Sequence, residues 1–226
     1  MKFFAKNGFA YSALFMFVTT FAFVLPLALL NSATKPLADR YWATAGRVAV
    51  LRSLGIAADQ ADPDATLAAY RRLATWTTDA AGRPVPVPMA TVEAAELAGK
   101  PVTPLSYPAT VDGRKRLAGN FTGLGLWSSI TLVLGFDQDM RRLTGLRILS
   151  QAETPGLGGR ITEPWFMDQF TGKQLAGDGP PIAFKTSGPP PGPEEPVVDG
   201  IAGATLTTNG IRDIILSAIV TMRPVV

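Results

Sequence analysis

Between Lys6 and Lys35 no charged residue occurs, and the heart of that run, Phe9 to Leu30, is built almost wholly from Phe, Leu, Val, Met and Ala. A helix needs about 20 apolar residues to cross the hydrocarbon core of a bilayer, and this run supplies them. Pro26 falls inside it and is tolerable as a kink. The other explanation for such a run is a cleaved signal peptide. That reading fits less well, because a signal's apolar region is shorter and cleavage before Thr34 would put Asn31 where a small residue is wanted. The expectation is an uncleaved anchor. Lys2 and Lys6 precede it with no acidic residue, which favours a cytoplasmic N-terminus, while Lys35 and Arg40 beyond it pull the other way. The chain then divides into residues 1–8 on the cytoplasmic side, a transmembrane helix over 9–31, a post-membrane helix over 32–56 and an extracytoplasmic domain over 57–226.

What the domain can do is narrowed by what it lacks. Cysteine and histidine are both absent. Thiol and imidazole nucleophiles, Cys/His zinc sites, histidine-ligated haem and cysteine-bound iron–sulfur clusters are thereby excluded on this chain, and so is Ser-His-Asp catalysis. No metal site and no catalytic residue is expected. The net charge is a modest +3, and the one basic run, Arg114-Lys115-Arg116, reads as a solvated loop. A long basic stripe with interleaved aromatics is missing, so no nucleic acid is expected. Reactive chemistry must come from carboxylates, hydroxyls or an organic cofactor.

Along the chain, Pro36 to Ile56 reads as a helix with Tyr41, Trp42, Ala45, Val48, Ala49 and Leu51 as its apolar stripe and Gly55 as its stop. Asp64 to Ala74 reads as a short helix with Leu67, Tyr70 and Leu73 inward. Six prolines between Pro84 and Pro108 break regularity into strand pieces and loops, with a turn or two of helix over Thr91 to Ala98. The second half of residues 123–136 is strand-like, Asp137-Gln138-Asp139 is a turn, and Leu143 to Ser150 returns as a strand, so the pair predicts a β-hairpin. It ends at Glu153-Thr154-Pro155-Gly156-Leu157-Gly158-Gly159, a turn rich in loop-formers. The spacing of Gly156 to Gly159 does not match the Gly-x-Gly-x-x-Gly pattern of a dinucleotide site. Trp165 and Phe170 read as core, Ile182 to Lys185 as a strand, and Gly188 to Pro196 as an exposed proline-rich loop.

That loop leads into Asp199-Gly200-Ile201-Ala202-Gly203-Ala204-Thr205-Leu206-Thr207-Thr208. Beyond it Ile211, Ile214, Ile215, Ala218, Ile219 and Met222 fall on one face of a 3.6-residue period. Thr205, Thr207 and Thr208 are thus delivered to the start of an amphipathic helix, where unpaired N–H groups and the positive dipole end suit a phosphate. An N-cap beside a glycine turn would use the same residues. Spacing alone leaves both readings open.

The string DGIAGATLT resembles the flavinylation motif Asp-Gly-x-(Ser/Thr)-Gly-Ala-(Thr/Ser) of the covalent FMN-binding domain family. GLGLW at 123–127, ETPGLG at 153–158 and WFMDQFTGKQL from Trp165 resemble further family strings, in the family's order. Ala202 departs from the pattern, standing where Ser or Thr is usual. The family occurs in the FMN-bearing subunits of two membrane complexes, the sodium-translocating NADH:quinone reductase (Nqr) and the Rnf complex, and the C-terminal half is nearer the former. The resemblance implies FMN held by a phosphoester to Thr205, attached by a dedicated flavin transferase. It further implies cofactor contacts from Asp199, Gly203, Ala204, Leu206, Thr207 and Thr208. In the second turn, Glu153 and Thr154 would make polar contacts to the isoalloxazine, with the backbone of Gly156 and Gly158 near its edge and Leu157 against its face. Trp127 is either core or packed on the flavin.

The implied fold is α+β, a twisted, largely antiparallel sheet flanked by helices and tethered by one N-terminal transmembrane helix. The implied function is electron relay within an ion-translocating NADH:quinone reductase-type complex of the inner membrane, with the other subunits, the transferase and the lipid bilayer as partners. The alternatives are the FMN-bearing Rnf subunit and an FMN-binding redox sensor or regulator.

Overall fold

A computed structural model describes residues 8–79, 83–97, 105–177, 181–192 and 194–222. The chain divides into two compact units, Met1–Ala43 and Thr44–Val226. The first is formed by most of a 45-residue helix, α1 (Phe9–Ser53), which continues through both Pro26 and Pro36. Among the described residues it is the one helix long and apolar enough to cross a membrane. Tyr41 and Trp42, expected on the buried stripe, are 56% and 64% exposed; burial begins only at Thr44 and takes in Val48, Ala49 and Leu51. Only the last turns of α1 meet a core, so the residues before Thr44 have nothing to be buried against within the chain.

The second unit is α+β. Its elements run α2 (Pro63–Tyr70), β1 (Trp76–Thr78), β2 (Pro84–Pro86), α3 (Met89–Leu97), β3 (Ser106–Val111), β4 (Arg114–Leu124), β5 (Ser129–Asp137), β6 (Leu143–Ser150), α4 (Pro164–Asp168), β7 (Ala183–Lys185), β8 (Val197–Asp199) and α5 (Thr205–Met222). Six strands form one sheet in the order β2-β1-β3-β4-β5-β6, every neighbouring pair antiparallel. The short β7 and β8 pair in parallel. The predicted hairpin is β5–β6.

The period of two along the central strands puts a core on each face of the sheet. From β5, Ile130, Leu132, Leu134 and Phe136 join Ile211, Ile214, Ile215 and Ala218 of α5 in the larger core, while Val133 joins Val50, Leu51, Leu54 and Tyr70 in the other. Glycines let α5 lie close on β4. A Cβ at Gly123 would come within 2.4 Å of Ile214 Cγ1, and one at Gly210 within 2.4 Å of the Leu124 carbonyl oxygen. On the opposite face the Tyr70 and Tyr107 hydroxyls are 2.9 Å apart, and the Tyr70 hydroxyl donates to Glu96 Oε1 at 3.1 Å. Arg47 reaches the same carboxylate at 3.7 Å, so α1, α2, α3 and β3 share one polar knot within an apolar layer.

Two expectations are corrected here. The Arg114-Lys115-Arg116 run is the start of β4, not a loop; it pairs with β3, and Arg116 Nη1 donates to the Leu54 carbonyl at 2.6 Å. Its polar side chains hide a strand held by neighbours on both sides. Trp165 is 40% exposed, stacked under the Arg160 guanidinium, and Phe166 takes the core position beside Phe170.

Asp62 starts α2 by accepting the Ala65 N–H at 3.0 Å, with Pro63 in the first turn. Asp62→Ala leaves that amide without its cap and is expected to cost about 1 kcal/mol. Thermal denaturation should show the midpoint fall by about 3 °C.

Candidate functional site

Three segments far apart in the chain meet around one carboxylate. Glu153 follows β6 and is 5% exposed. Its oxygens accept the backbone N–H groups of Leu126 at 3.2 Å, Trp127 at 3.0 Å and Ser128 at 3.4 Å, all in the turn between β4 and β5. The Thr207 hydroxyl, in the first turn of α5, donates to Glu153 Oε2 at 2.6 Å. Two glycines make room for the group. A Cβ at Gly125 would lie 2.5 Å from Glu153 Oε1, and one at Gly158 would lie 3.0 Å from Oε2 and 2.5 Å from Thr207 Oγ1.

Burial pushes the Glu153 carboxyl up, but the hydrogen bonds from Thr207 and the three amides outweigh it and hold the group below the usual glutamate range. With the folded value depressed, the ionised carboxylate contributes stability above the unfolded glutamate value of about 4.3. That contribution is lost as the pH falls through the folded value. Glu153→Gln should therefore flatten the acid limb of stability, read by thermal melts from about pH 6 to about pH 3.

The start of α5 is shaped by a tight turn. Gly203 has φ of 76°, in the left-handed region that favours glycine, and the Ala204 N–H bonds the Ile201 carbonyl at 3.0 Å. The first helical bond at this end is from Thr208 N–H to the Ala204 carbonyl, at 3.0 Å. The amides of Thr205, Leu206 and Thr207 therefore lie at the helix end without intrahelical acceptors, where the dipole is positive. The three threonines differ sharply. Thr207 and Thr208 are buried, and their hydroxyls are engaged, Thr207 with Glu153 and Thr208 with the carbonyls of Ala204 and Thr205. Thr205 is exposed, and its hydroxyl bonds no described residue.

The other expected site residues fall around this helix end. Asp199 closes β8; its N–H donates to Gln169 Oε1 at 2.7 Å and its carbonyl accepts from Gln169 Nε2 at 3.2 Å, which ties the loop's first residue to the end of α4. Thr154 is exposed, and its carbonyl accepts from the Leu157 and Gly159 N–H groups, closing the turn through Gly156 at φ 75°. A Cβ at Gly203 would stand 3.2 Å from Leu157 Cδ2, so these two turns are neighbours. Trp127, at 71% exposure, is not a core residue; with Leu124, Leu157 and Leu206 it places exposed apolar surface on the three joined segments. The structure thus brings the predicted residues together, but gives Glu153 partners within the chain on both oxygens. Sequence reasoning missed Gln169 and the roles of Gly125 and Gly158. Glycines flanking a lone glutamate in two separate turns were the available signal.

Comparison with known proteins bears on this arrangement. Residues 125–220 match the family described as FMN-binding domain. Over 92 residues, 40% of this chain, the sequence is 41% identical to the C subunit of the Na(+)-translocating NADH-quinone reductase of Vibrio anguillarum. Over the same length it is 39% identical to the C subunit of the Yersinia pestis reductase. The aligned segment spans only 36% and 35% of those relatives. In fold, the chain is similar to the crystal structure of the corresponding subunit from Parabacteroides distasonis, with a TM-score of 0.63 and 23% identity over 84% of this chain and 95% of that one. It is also similar to Shewanella oneidensis NqrC, with a TM-score of 0.59 and 19% identity over 75% and 88% of the two chains. The segment from the β4–β5 turn to α5, which holds the Glu153 cluster and the Thr205 helix end, is the part of the chain that matches the FMN-binding domain family and is similar to the C subunits of the Na(+)-translocating NADH-quinone reductases.

Proposed function

We propose that this chain is the FMN-carrying subunit of a membrane NADH:quinone reductase of the sodium-translocating type, with FMN esterified through its phosphate to the Thr205 hydroxyl. The observation that carries the proposal is the difference among the threonines. Of the three at the start of α5, Thr205 has the exposed and unengaged hydroxyl.

The residues present fit the cofactor. An anionic phosphate suits the unpaired amides of Thr205, Leu206 and Thr207 at the positive end of α5. Ala202 and Gly203, both exposed, carry little side-chain bulk before them. A broad, largely apolar ring system suits the exposed surfaces of Trp127, Leu157 and Leu206. Thr154 and the backbone of the 156–158 turn would supply polar contacts at its edge. FMN, when bound, takes up and releases electrons singly or in pairs. The chain's own part is to hold and orient it and to set the polarity around it. No side chain is required to act as a general acid or base.

In this reading α1 crosses the membrane over residues 9–31, with the N-terminus cytoplasmic and the FMN domain on the far side. The other subunits of the complex supply the electron donor, the quinone site and the ion path, and a flavin transferase loads Thr205. The test is the intact mass of the full chain made in a host that expresses the transferase. It should be heavier than the polypeptide by one FMN less one water, and its band should fluoresce on a denaturing gel. A bare polypeptide mass would sink the proposal.

A further inference from the structure

Glu153 is a buried anion with no cationic partner among the described residues within ion-pairing distance. Every neighbour that the structure gives its carboxylate is a hydrogen-bond donor: three consecutive amides on one side and the Thr207 hydroxyl on the other. A buried carboxylate is costly unless its lone pairs are filled, so this one is stable only while both segments stay in place. The partners lie 25 to 27 residues before it and 54 after it. Gly125 and Gly158 leave space that the Glu153 side chain, the Thr207 hydroxyl and the tip of Ile130 fill. The Glu153 N–H in turn donates to Gln151 Oε1 at 2.5 Å, which holds its own backbone.

We propose that Glu153 is the positioning residue of the FMN site: its ionised carboxylate fastens the Trp127 turn and the first turn of α5 to the 153–159 turn, so that the segments are assembled before the cofactor arrives. This rests on the reading that those three segments hold FMN. Thr207 is its counterpart on α5, two residues from the acceptor threonine. A second consequence is electrostatic. A fixed negative charge beside the site disfavours adding electrons to the flavin, so it holds the reduction potential down.

The test uses the full chain, made with and without the transferase, as wild type, Glu153→Ala, Glu153→Gln and Thr207→Val. Hydrogen exchange of the FMN-free chain reports the fastening directly. In Glu153→Ala, exchange at the amides of Leu126, Trp127 and Ser128 should quicken at least tenfold, while amides in the middle of β5 keep wild-type protection. If that variant does not fold, Glu153→Gln carries the same test, since one of its two terminal atoms can no longer accept and part of the protection is lost. With the transferase, the loaded fraction by intact mass should fall several-fold in Glu153→Ala and to a smaller extent in Thr207→Val. The FMN of Glu153→Gln should titrate at a more positive potential than wild type, a shift that a purely structural role would not produce. Unchanged protection of those three amides, or an unchanged potential in Glu153→Gln, would overturn the proposal. A wild-type chain that never gains the FMN mass would instead defeat the covalent reading, and the exchange measurement on the FMN-free chain would still decide the role of Glu153.

Discussion

Thr205→Ala should abolish the flavin fluorescence of the denatured band and return the intact mass to that of the bare polypeptide. Thr205→Ser should retain both, because the ester needs only a hydroxyl at that place on the helix end. The loss is all-or-none, since contacts to helix-end amides are worth only about 0.3–1 kcal/mol for an anion and do not survive denaturation. The fold should not suffer: Thr205 is exposed and engages no described partner through its hydroxyl, so the thermal midpoint should stay with wild type. Thr208→Val is the matched control. Its hydroxyl is committed to the Ala204 and Thr205 carbonyls, and its removal should leave FMN attached. A loaded Thr205→Ala chain, or a label that moves to Thr207, would refute the assignment.

The second large effect lies under the end of α1. Gly135 of β5 is paired with Gly145 of β6, and the last turn of α1 lies on this pair. A Cβ at Gly135 would be 2.0 Å from the Ser53 carbonyl oxygen and 2.4 Å from Thr144 Oγ1, the hydroxyl that donates to that carbonyl. A backbone oxygen in a buried helix turn cannot step aside as a flexible side chain can. Gly135→Ala must therefore push α1 off the sheet or break the Thr144 bond, at a cost of about 3 kcal/mol or more. For a domain of this size that is a fall of about 6–12 °C in the thermal midpoint. Gly145→Ala is the internal comparison. Its Cβ would be 3.1 Å from Ser53 Cα, a contact that small shifts can relieve, so its effect should be clearly smaller. Equal effects at the two positions would mean that α1 does not rest on this floor.

How far the sequence could be followed varied with the physics of each segment. The β5–β6 hairpin and α5 were legible because each carries its own periodicity: alternation in Ile130, Leu132 and Leu134, and a 3.6-residue stripe through Ile211, Ile214, Ile215 and Ala218. Strand β4 was not. Arg114–Leu124 opens with three basic residues and carries glycine at 119 and 123, and it is a strand because β3 and β5 pair with it along both edges. Nothing local announces that. Trp165 reads as core and Tyr41 as part of an apolar stripe, yet both are exposed: Phe166 takes the core place in α4, and burial along α1 begins only at Thr44. Tyr70 and Tyr107 are 37 residues apart and meet only through the packing of α2 on the sheet.

The chain's apolar N-terminal run, its lack of cysteine and histidine, and the order of its glycine-rich strings were enough to specify a helix long and apolar enough to cross a membrane, the absence of thiol and imidazole chemistry, and a resemblance to the flavin family. Those are properties of composition and short-range pattern, and they are complete in one dimension. Which threonine keeps a free hydroxyl was not. Thr205, Thr207 and Thr208 are near neighbours in the chain, and what distinguishes them is a carboxylate 54 residues upstream of Thr207 that takes up its hydroxyl, and a helix geometry that folds the Thr208 hydroxyl back onto its own backbone. A hydrogen bond depends on distance and direction in space, so only the folded chain could assign these donors to their acceptors.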